Sequence, residues 1–201
     1  MSESGALENN SMSPAAKCAT RWLLAATVVA AVGTFGSVLL SIGLGLKACP
    51  LCFYQRSFVM AELAVLVLGG SLERSRSGLI CLLSVPLAFA GFGVAAFHEY
   101  LVLTGVLECP QALFGIGSAP AQSLAVFIAL AATTCLGAWH GRHETQRQGP
   151  STLVSTALLG CLMAGACILS SPPLPPVPAA AYDAVKQPLD TCRRPFGAQS
   201  N

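Results

Sequence analysis

The chain has 201 residues, of which 54% are hydrophobic and only 10% are charged, and its mean hydropathy is +0.65. Water-soluble domains have a more balanced composition, so the chain is predicted to be a membrane protein. The net charge of +2 and the scattered basic residues argue against nucleic-acid binding, which requires clustered lysines and arginines.

The predicted elements begin with a polar segment, residues 1–20, which we expect to be a disordered cytoplasmic tail. Five apolar segments then follow, each long enough to cross a bilayer as a helix of roughly 17 to 25 residues. Helices are expected because lipid leaves unpaired backbone groups unsatisfied. The five predicted spans are Trp22–Leu46, Phe53–Gly70, Leu79–Phe97, Ala121–Ala138 and Thr152–Leu169. The sequence therefore predicts an all-α membrane protein.

Basic residues in the short loops predict which way these spans run, since such residues are enriched on the cytoplasmic side. Six of them fall on one side of the predicted topology: Lys17, Arg21, Arg74, Arg76, Arg142 and Arg147. The loop at residues 47–52, the loop from Glu99 to Pro120 and the tail at residues 171–201 then emerge on the opposite, non-cytoplasmic side. The tail opens with the proline-rich SPPLPPVP, which favours an extended spacer.

The nine cysteines divide into two groups. Five lie in or beside apolar segments, where a thiol usually behaves as a small hydrophobic side chain: Cys18, Cys81, Cys135, Cys161 and Cys167. The other four, Cys49, Cys52, Cys109 and Cys192, lie in the non-cytoplasmic connections. A disulfide between Cys109 and Cys192 is therefore allowed by the topology.

The motif CPLCFYQR, residues 49–56, is the strongest indication of chemistry. Two cysteines at this spacing can close a disulfide that an outside thiolate attacks and the neighbouring thiol resolves. Cys52 is expected to begin a helix, where backbone N–H groups and the helix dipole stabilise a thiolate. Arg56 lies one turn further along the same face and adds a positive charge, and Phe53 offers a flat apolar surface.

Alternative interpretations of this motif are a zinc site, a haem attachment site or an inert structural disulfide. A structural zinc site requires four ligands, and only His98 and the other loop cysteines are candidates on this side. Haem attachment requires a histidine at position 53, which is Phe53. No metal site is therefore expected. An arginine near a helix end also often only extends its charge to the membrane interface.

Two titratable residues complete the set of candidates. His98, at the outer end of the third span, could hydrogen-bond a bound ligand or relay protons, or could simply bond to backbone. Glu62 lies in the middle of a predicted span, where an acid is costly and usually has a partner or a role. The sequence does not decide between a functional and a structural role for Glu62.

With these features, CPLCFYQR resembles the signature of the DsbB (disulfide bond formation protein B) family, and the resemblance covers roughly residues 20–140. It implies a four-helix transmembrane bundle at residues 21–140. Residues 141–170 would add a cytoplasmic loop and a fifth transmembrane helix, and residues 171–201 a periplasmic tail that carries Cys192.

The resemblance also implies an activity: oxidation of a DsbA-like thioredoxin-fold carrier and electron transfer to ubiquinone or menaquinone in the bacterial inner membrane. Cys52 would face the quinone with Arg56, Phe53 and His98 nearby. Cys49 would exchange with the second cysteine pair. Family members usually hold both cysteines of that pair in one loop, whereas this loop supplies only Cys109, so we expect Cys192 to be its mate.

Two other functions are consistent with parts of the sequence. A conduit that exports reducing equivalents would need redox cysteines within the spans, and those present lack Cys-x-x-Cys spacing. A membrane scaffold with purely structural disulfides would not reduce quinone.

Overall fold

The computed structural model describes residues 13–142, 150–183 and 185–197 of the chain. Residues 1–12 of the predicted tail and Arg147 lie outside these ranges. The described part contains five long helices: α1 (Pro14–Ile42), α2 (Pro50–Leu72), α3 (Ser77–Leu103), α4 (Ala119–Gly141) and α5 (Pro150–Ser170). Short 3₁₀ turns occupy Arg74–Arg76 and Leu113–Gly115.

All five helices are long and apolar enough to cross a membrane. Their most apolar windows have mean hydropathies between 1.5 and 2.2. No strand forms within the described ranges, which contain only two isolated β-bridges. The predicted all-α membrane fold is therefore confirmed, and the chain is a multi-pass membrane protein.

The first helix is displaced along the sequence relative to its prediction. It begins at Pro14, within the segment predicted to be disordered, and ends at Ile42. The hydroxyl of Ser13 caps it by accepting a hydrogen bond from the Ala16 amide at 3.1 Å, and proline suits the first helical turn. Beyond Ile42 the chain leaves the helix, and Gly45 adopts a φ of +66° that favours glycine.

Helix α3 is the centre of the bundle. Of its most apolar window 56% is buried, against 11% to 28% for the other four helices. It packs against α1, α2, α4 and α5. Two glycines allow close approach to α4: Gly91 lies under the ring of Phe127, and Gly78 faces the backbone of Gly141.

The fifth helix packs on the outside of α3. A Cβ atom at Gly160 would lie 2.5 Å from the carbonyl oxygen of Pro86 and 2.7 Å from Cβ of Phe89. A Cβ atom at Gly93 of α3 would lie 2.6 Å from Cβ of Ala164. Helix α5 is therefore part of the packed bundle and not only a tether for the tail.

Three segments meet at one end of the bundle, which we call the cysteine end: residues 43–49, residues 104–118 and the tail at residues 171–197. The tail returns over this end through two contacts. Lys47 forms an ion pair with Asp190 at 2.8 Å, and Arg193 forms one with Glu108 at 2.6 Å. At the other end Thr20 bonds to Ser77 at 3.0 Å, near the described basic residues Lys17, Arg21, Arg74, Arg76 and Arg142.

Candidate functional site

The CxxC pair is located at the start of α2. Cys49 is the N-cap residue and Pro50 takes the first helical position. The backbone N–H of Cys52 donates to Sγ of Cys49 at 3.2 Å, and the two sulfurs are 2.8 Å apart. The sequence predicted that the helix start stabilises a thiolate at Cys52. In the structure the backbone N–H of Cys52 donates to Cys49 instead, because Cys49 is the N-cap residue and the helix begins at Pro50.

These contacts favour a thiolate at Cys49. The hydrogen bond from the Cys52 thiol lowers the pKa of Cys49 to about 5, together with the hydrogen bond and charge of His98 and the backbone N–H of Cys52. Burial of Cys49 opposes this shift. Cys49 therefore has the environment of a reactive cysteine, although only 9% of it is exposed.

The second cysteine pair is a disulfide between Cys109 and Cys192, with an S–S distance of 2.07 Å. This is the pairing that the topology allowed. Beside it, Glu108 and Arg193 form a small antiparallel bridge in which each backbone N–H donates to the other carbonyl, at 2.9 Å and 3.0 Å. Their side chains add the ion pair of the cysteine end. Both sulfur-bearing residues are partly exposed.

His98 lies between the two cysteine pairs. Its side chain is fully buried. Nε2 is 3.4 Å from Sγ of Cys109, 3.4 Å from Sγ of Cys192 and 3.8 Å from Sγ of Cys49. Nδ1 contacts the amide nitrogen of Gln55 at 3.2 Å. His98 is thus held by a side chain of α2 and not by backbone.

Arg56 is anchored to α1 by two serines. Its Nε donates to the hydroxyl of Ser37 at 2.8 Å, and Nη2 donates to the Ser37 carbonyl at 3.0 Å and to the hydroxyl of Ser41 at 2.5 Å. Among the residues described, no carboxylate forms an ion pair with Arg56. The charge of Arg56 is thus fixed in place and not neutralised.

A cavity of about 190 Å³ opens beside Cys52 and Arg56, between α1, α2 and α4. Its walls are mostly apolar, and Cys192 also reaches it. Polar groups on the walls come from Ser37, Ser41, Lys47, Gln55, Arg56, Gln122 and Ser123. A flat apolar ring with two polar oxygens matches this lining, since small-molecule sites combine apolar walls with a few placed polar groups.

Two residues predicted to contact a quinone do not line this cavity. Phe53 does not line the cavity, and its side chain is 61% exposed. His98 does not line the cavity either, because its ring is buried among the sulfurs. The structure therefore brings Cys52 and Arg56 together at the cavity, and Cys49, His98, Cys109 and Cys192 together beside it.

Gln55, Gln122 and the two serines that hold Arg56 were not among the predicted site residues. Gln55 lies within CPLCFYQR, so the motif itself carried that signal. Ser37 and Ser41 are one helical turn apart in an apolar span, which places both on one face. Gln122 donates to the carbonyl oxygens of Leu113 and Ile116 in the second loop, a contact that the sequence does not reveal.

Glu62 is fully buried on α2, and neither carboxylate oxygen has a hydrogen-bond partner among the described residues. It does not line the cavity. The structure thus supplies no described partner for the acid that the sequence singled out.

Comparison with known proteins identifies the family. The model of the family described as disulfide bond formation protein DsbB matches residues 19–171, which is most of the chain. The chain belongs to the DsbB family. No solved structure matches it significantly. The DsbB match ends before Cys192, so the tail cysteine lies beyond the matched segment.

A curated relative agrees with this assignment. The chain is 32% identical to the "Probable disulfide formation protein" of Chlamydia trachomatis serovar D over 119 residues, which cover 54% of this chain and 86% of the relative. Membership of the DsbB family and this similarity identify the chain as a membrane protein of disulfide formation.

Proposed function

We propose that this DsbB-family chain is a quinone-dependent protein-disulfide oxidoreductase that reoxidises a DsbA-like thioredoxin-fold carrier. The observation that carries the proposal is the arrangement of the sulfurs. The CxxC pair lies beside a largely apolar cavity with a fixed arginine, and Sγ of Cys192 lies within 4.8 Å of both CxxC sulfurs.

Electrons enter at the Cys109–Cys192 disulfide, which is partly exposed at the cysteine end. A thiolate of the reduced carrier attacks one sulfur and forms a mixed disulfide, and the second carrier thiol then resolves it. The carrier leaves oxidised, and Cys109 and Cys192 become thiols. Two electrons and two protons have then passed to this chain.

The next exchange joins the two pairs. With Cys49 and Cys52 oxidised, the Cys192 thiolate attacks one of their sulfurs, and Cys109 resolves the intermediate and restores its own disulfide. The electrons then reside on the Cys49 and Cys52 thiols.

Cys49 and Cys52 finally close their disulfide and release two electrons and two protons, which a bound quinone accepts. Cys52 and Arg56 line the cavity that would hold the ring. The charge of Arg56 favours negative charge beside Cys52, because the serines of α1 hold the guanidinium in place.

The cysteine end is proposed to face the periplasm of a bacterial inner membrane. Supporting this, Lys17, Arg21, Arg74 and Arg76 are at the opposite end of the bundle, as the cytoplasmic enrichment of basic loop residues requires.

The experiment is to mix the purified chain with a reduced thioredoxin-fold carrier and a soluble quinone, and to follow quinone absorbance. We expect turnover by the wild type and none by Cys49→Ser or Cys52→Ser. Cys161→Ser is the control, because it removes an exposed thiol of α5 and should retain wild-type activity. Arg56→Ala should raise the quinone concentration needed for half-maximal rate.

Two results would contradict the proposal. Turnover that persists in both CxxC variants would remove these sulfurs from the route. No turnover by folded wild-type protein with any quinone would instead favour a scaffold whose disulfides are structural.

A further inference from the structure

Four potential metal ligands converge at the junction of the two cysteine pairs. Sγ of Cys49, Cys52 and Cys192 and a ring nitrogen of His98 all lie within 4.8 Å of one another. A tetrahedral zinc site with Zn–S bonds of about 2.3 Å places its sulfurs about 3.8 Å apart. The group is therefore close to the size of such a site. The sulfurs of Cys49 and Cys52, which are 2.8 Å apart, need to separate by about 1 Å to fit it.

The orientation of His98 suits a ligand. Gln55 contacts Nδ1, so Nε2 is the nitrogen that faces the sulfurs. A metal at Nε2 requires the Gln55 amide to turn over, so that its oxygen takes the place of its nitrogen beside Nδ1 and accepts a hydrogen bond from Nδ1–H. Nε2 then carries the lone pair that a metal needs. Metal-ligating histidines usually have such a hydrogen bond on their other nitrogen.

The ligand set depends on the redox state of Cys192. In the disulfide its sulfur is bonded to Cys109, so only Cys49, Cys52 and His98 remain as candidate ligands. Reduction by a dithiol adds two electrons and two protons to this disulfide and releases the Cys192 thiol. The set then becomes three cysteines and one histidine, a common composition for zinc.

We propose that the reduced chain binds one divalent ion of the zinc class through Cys49, Cys52, Cys192 and His98, and that formation of the Cys109–Cys192 disulfide abolishes the site. All three sulfurs bind the ion as thiolates, so binding releases the protons that the remaining thiols carry. The bound ion occupies the sulfurs that must exchange, so it holds the chain in its reduced form until a chelator removes it.

The experiment measures metal binding and not turnover, so it stands apart from the proposed quinone activity. The full chain in detergent is reduced with excess dithiol. The dithiol is then removed under anaerobic conditions, and the reduced chain is titrated with Cd²⁺. Thiolate-to-cadmium absorbance reports binding. We expect one tightly bound Cd²⁺ per reduced chain and binding at least on the order of 10- to 100-fold weaker with the Cys109–Cys192 disulfide intact.

Two variants form a matched pair because each removes the same disulfide. Cys192→Ser deletes a ligand and should weaken Cd²⁺ binding, whereas Cys109→Ser leaves Cys192 free and should bind as the reduced wild type does. Cys161→Ser, which removes an exposed thiol outside the group, should also leave binding unchanged. His98→Gln should weaken binding.

Equal Cd²⁺ affinity in Cys192→Ser and Cys109→Ser would overturn the proposal. So would equal affinity in the reduced and disulfide forms, or the absence of saturable binding by the reduced wild type.

Discussion

Cys49 combines two properties that rarely coincide, since it is buried and yet has an acidic thiol. The thiol of Cys52, the ring of His98 and the backbone N–H of Cys52 provide the stabilisation that water would provide at an exposed site. Its low pKa therefore depends on local geometry and should be lost when that geometry is disturbed.

The pH dependence of alkylation tests this directly. A pKa of about 5 means that Cys49 is a thiolate above that pH and protonates as the pH falls through it. Iodoacetamide labelling of the reduced chain, followed by peptide mass spectrometry, should give a Cys49 rate that is constant near neutral pH and falls only near pH 5. N-acetylcysteine in the same tube should already slow below about pH 8.5.

His98→Gln should move the Cys49 profile to higher pH, because it removes the ring contact with Sγ of Cys49 that helps to lower this pKa. A wild-type rate that declines throughout the neutral range would show an ordinary thiol at Cys49.

Glu62 is the opposite case, because it is a buried acid whose carboxylate oxygens have no hydrogen-bond partner among the described residues. Removing a buried polar group without a partner recovers about 1 to 3 kcal/mol. Glu62→Leu should therefore raise the midpoint of thermal unfolding in detergent. Glu73→Leu, at the exposed end of the same helix, is the control and should change it little. A marked loss of stability in Glu62→Leu would show that the carboxyl group has a partner in the native protein.

At the scale of the helices, hydropathy alone was sufficient to find all five elements. Their ends were less predictable because local hydrogen bonds set them. The cap at Ser13 starts α1 within a polar segment, and the cap at Cys49 starts α2 before the predicted Phe53. Apolar length reports how much chain can lie in lipid, and not where a helix begins.

The contacts between helices could not be predicted from the sequence. A membrane helix is apolar on most faces, so the hydrophobic pattern does not show which face meets a neighbour. The contact between Gln55 and His98, and the exposure of Phe53, follow from the rotation of α2. The motif predicted the reactive residues, but the packing determines which of them face the cavity.

Two glycines of α5 provide a matched test of helix packing. A methyl group at Gly160 meets the backbone of Pro86, whereas one at Gly165 has no atom within 4 Å. Gly160→Ala should force α5 away from α3 and lower the thermal midpoint, with a cost of roughly 1 to 3 kcal/mol from overpacking. Gly165→Ala should be neutral or slightly stabilising because alanine favours helix. Equal effects of the two substitutions would show that α5 does not pack on α3 as described.

At the scale of the whole molecule, the site is assembled from distant parts of the chain. Cys109 and Cys192 are separated by 83 residues, two transmembrane helices and a proline-rich spacer. The topology predicted that both would lie on one side, but it could not supply the contacts that hold the tail in place. These include the ion pairs of Lys47 with Asp190 and of Arg193 with Glu108, and the backbone hydrogen bonds between the same residues.

Docking of the tail should weaken in acid. The hydrogen bond and charge of Lys47 lower the pKa of Asp190 in the docked tail. The ion pair therefore favours docking at neutral pH, and its contribution is lost as the pH falls through that lowered pKa. The backbone contact beside it, from the Lys47 amide to the Asp190 carbonyl at 2.7 Å, reports the docked state.

Hydrogen–deuterium exchange of the Lys47 amide, corrected for intrinsic rate, is the measurement. Exchange should accelerate in acid in the wild type. In Lys47→Ala it should be a few-fold faster at neutral pH and lose most of its acid dependence. Lys186→Ala is the control in the same tail, because Lys186 and Asp183 are 3.9 Å apart and well exposed. If Lys186→Ala accelerated exchange as much as Lys47→Ala, general loss of tail charge would explain the effect, and the Lys47–Asp190 pair would not be the contact that docks the tail.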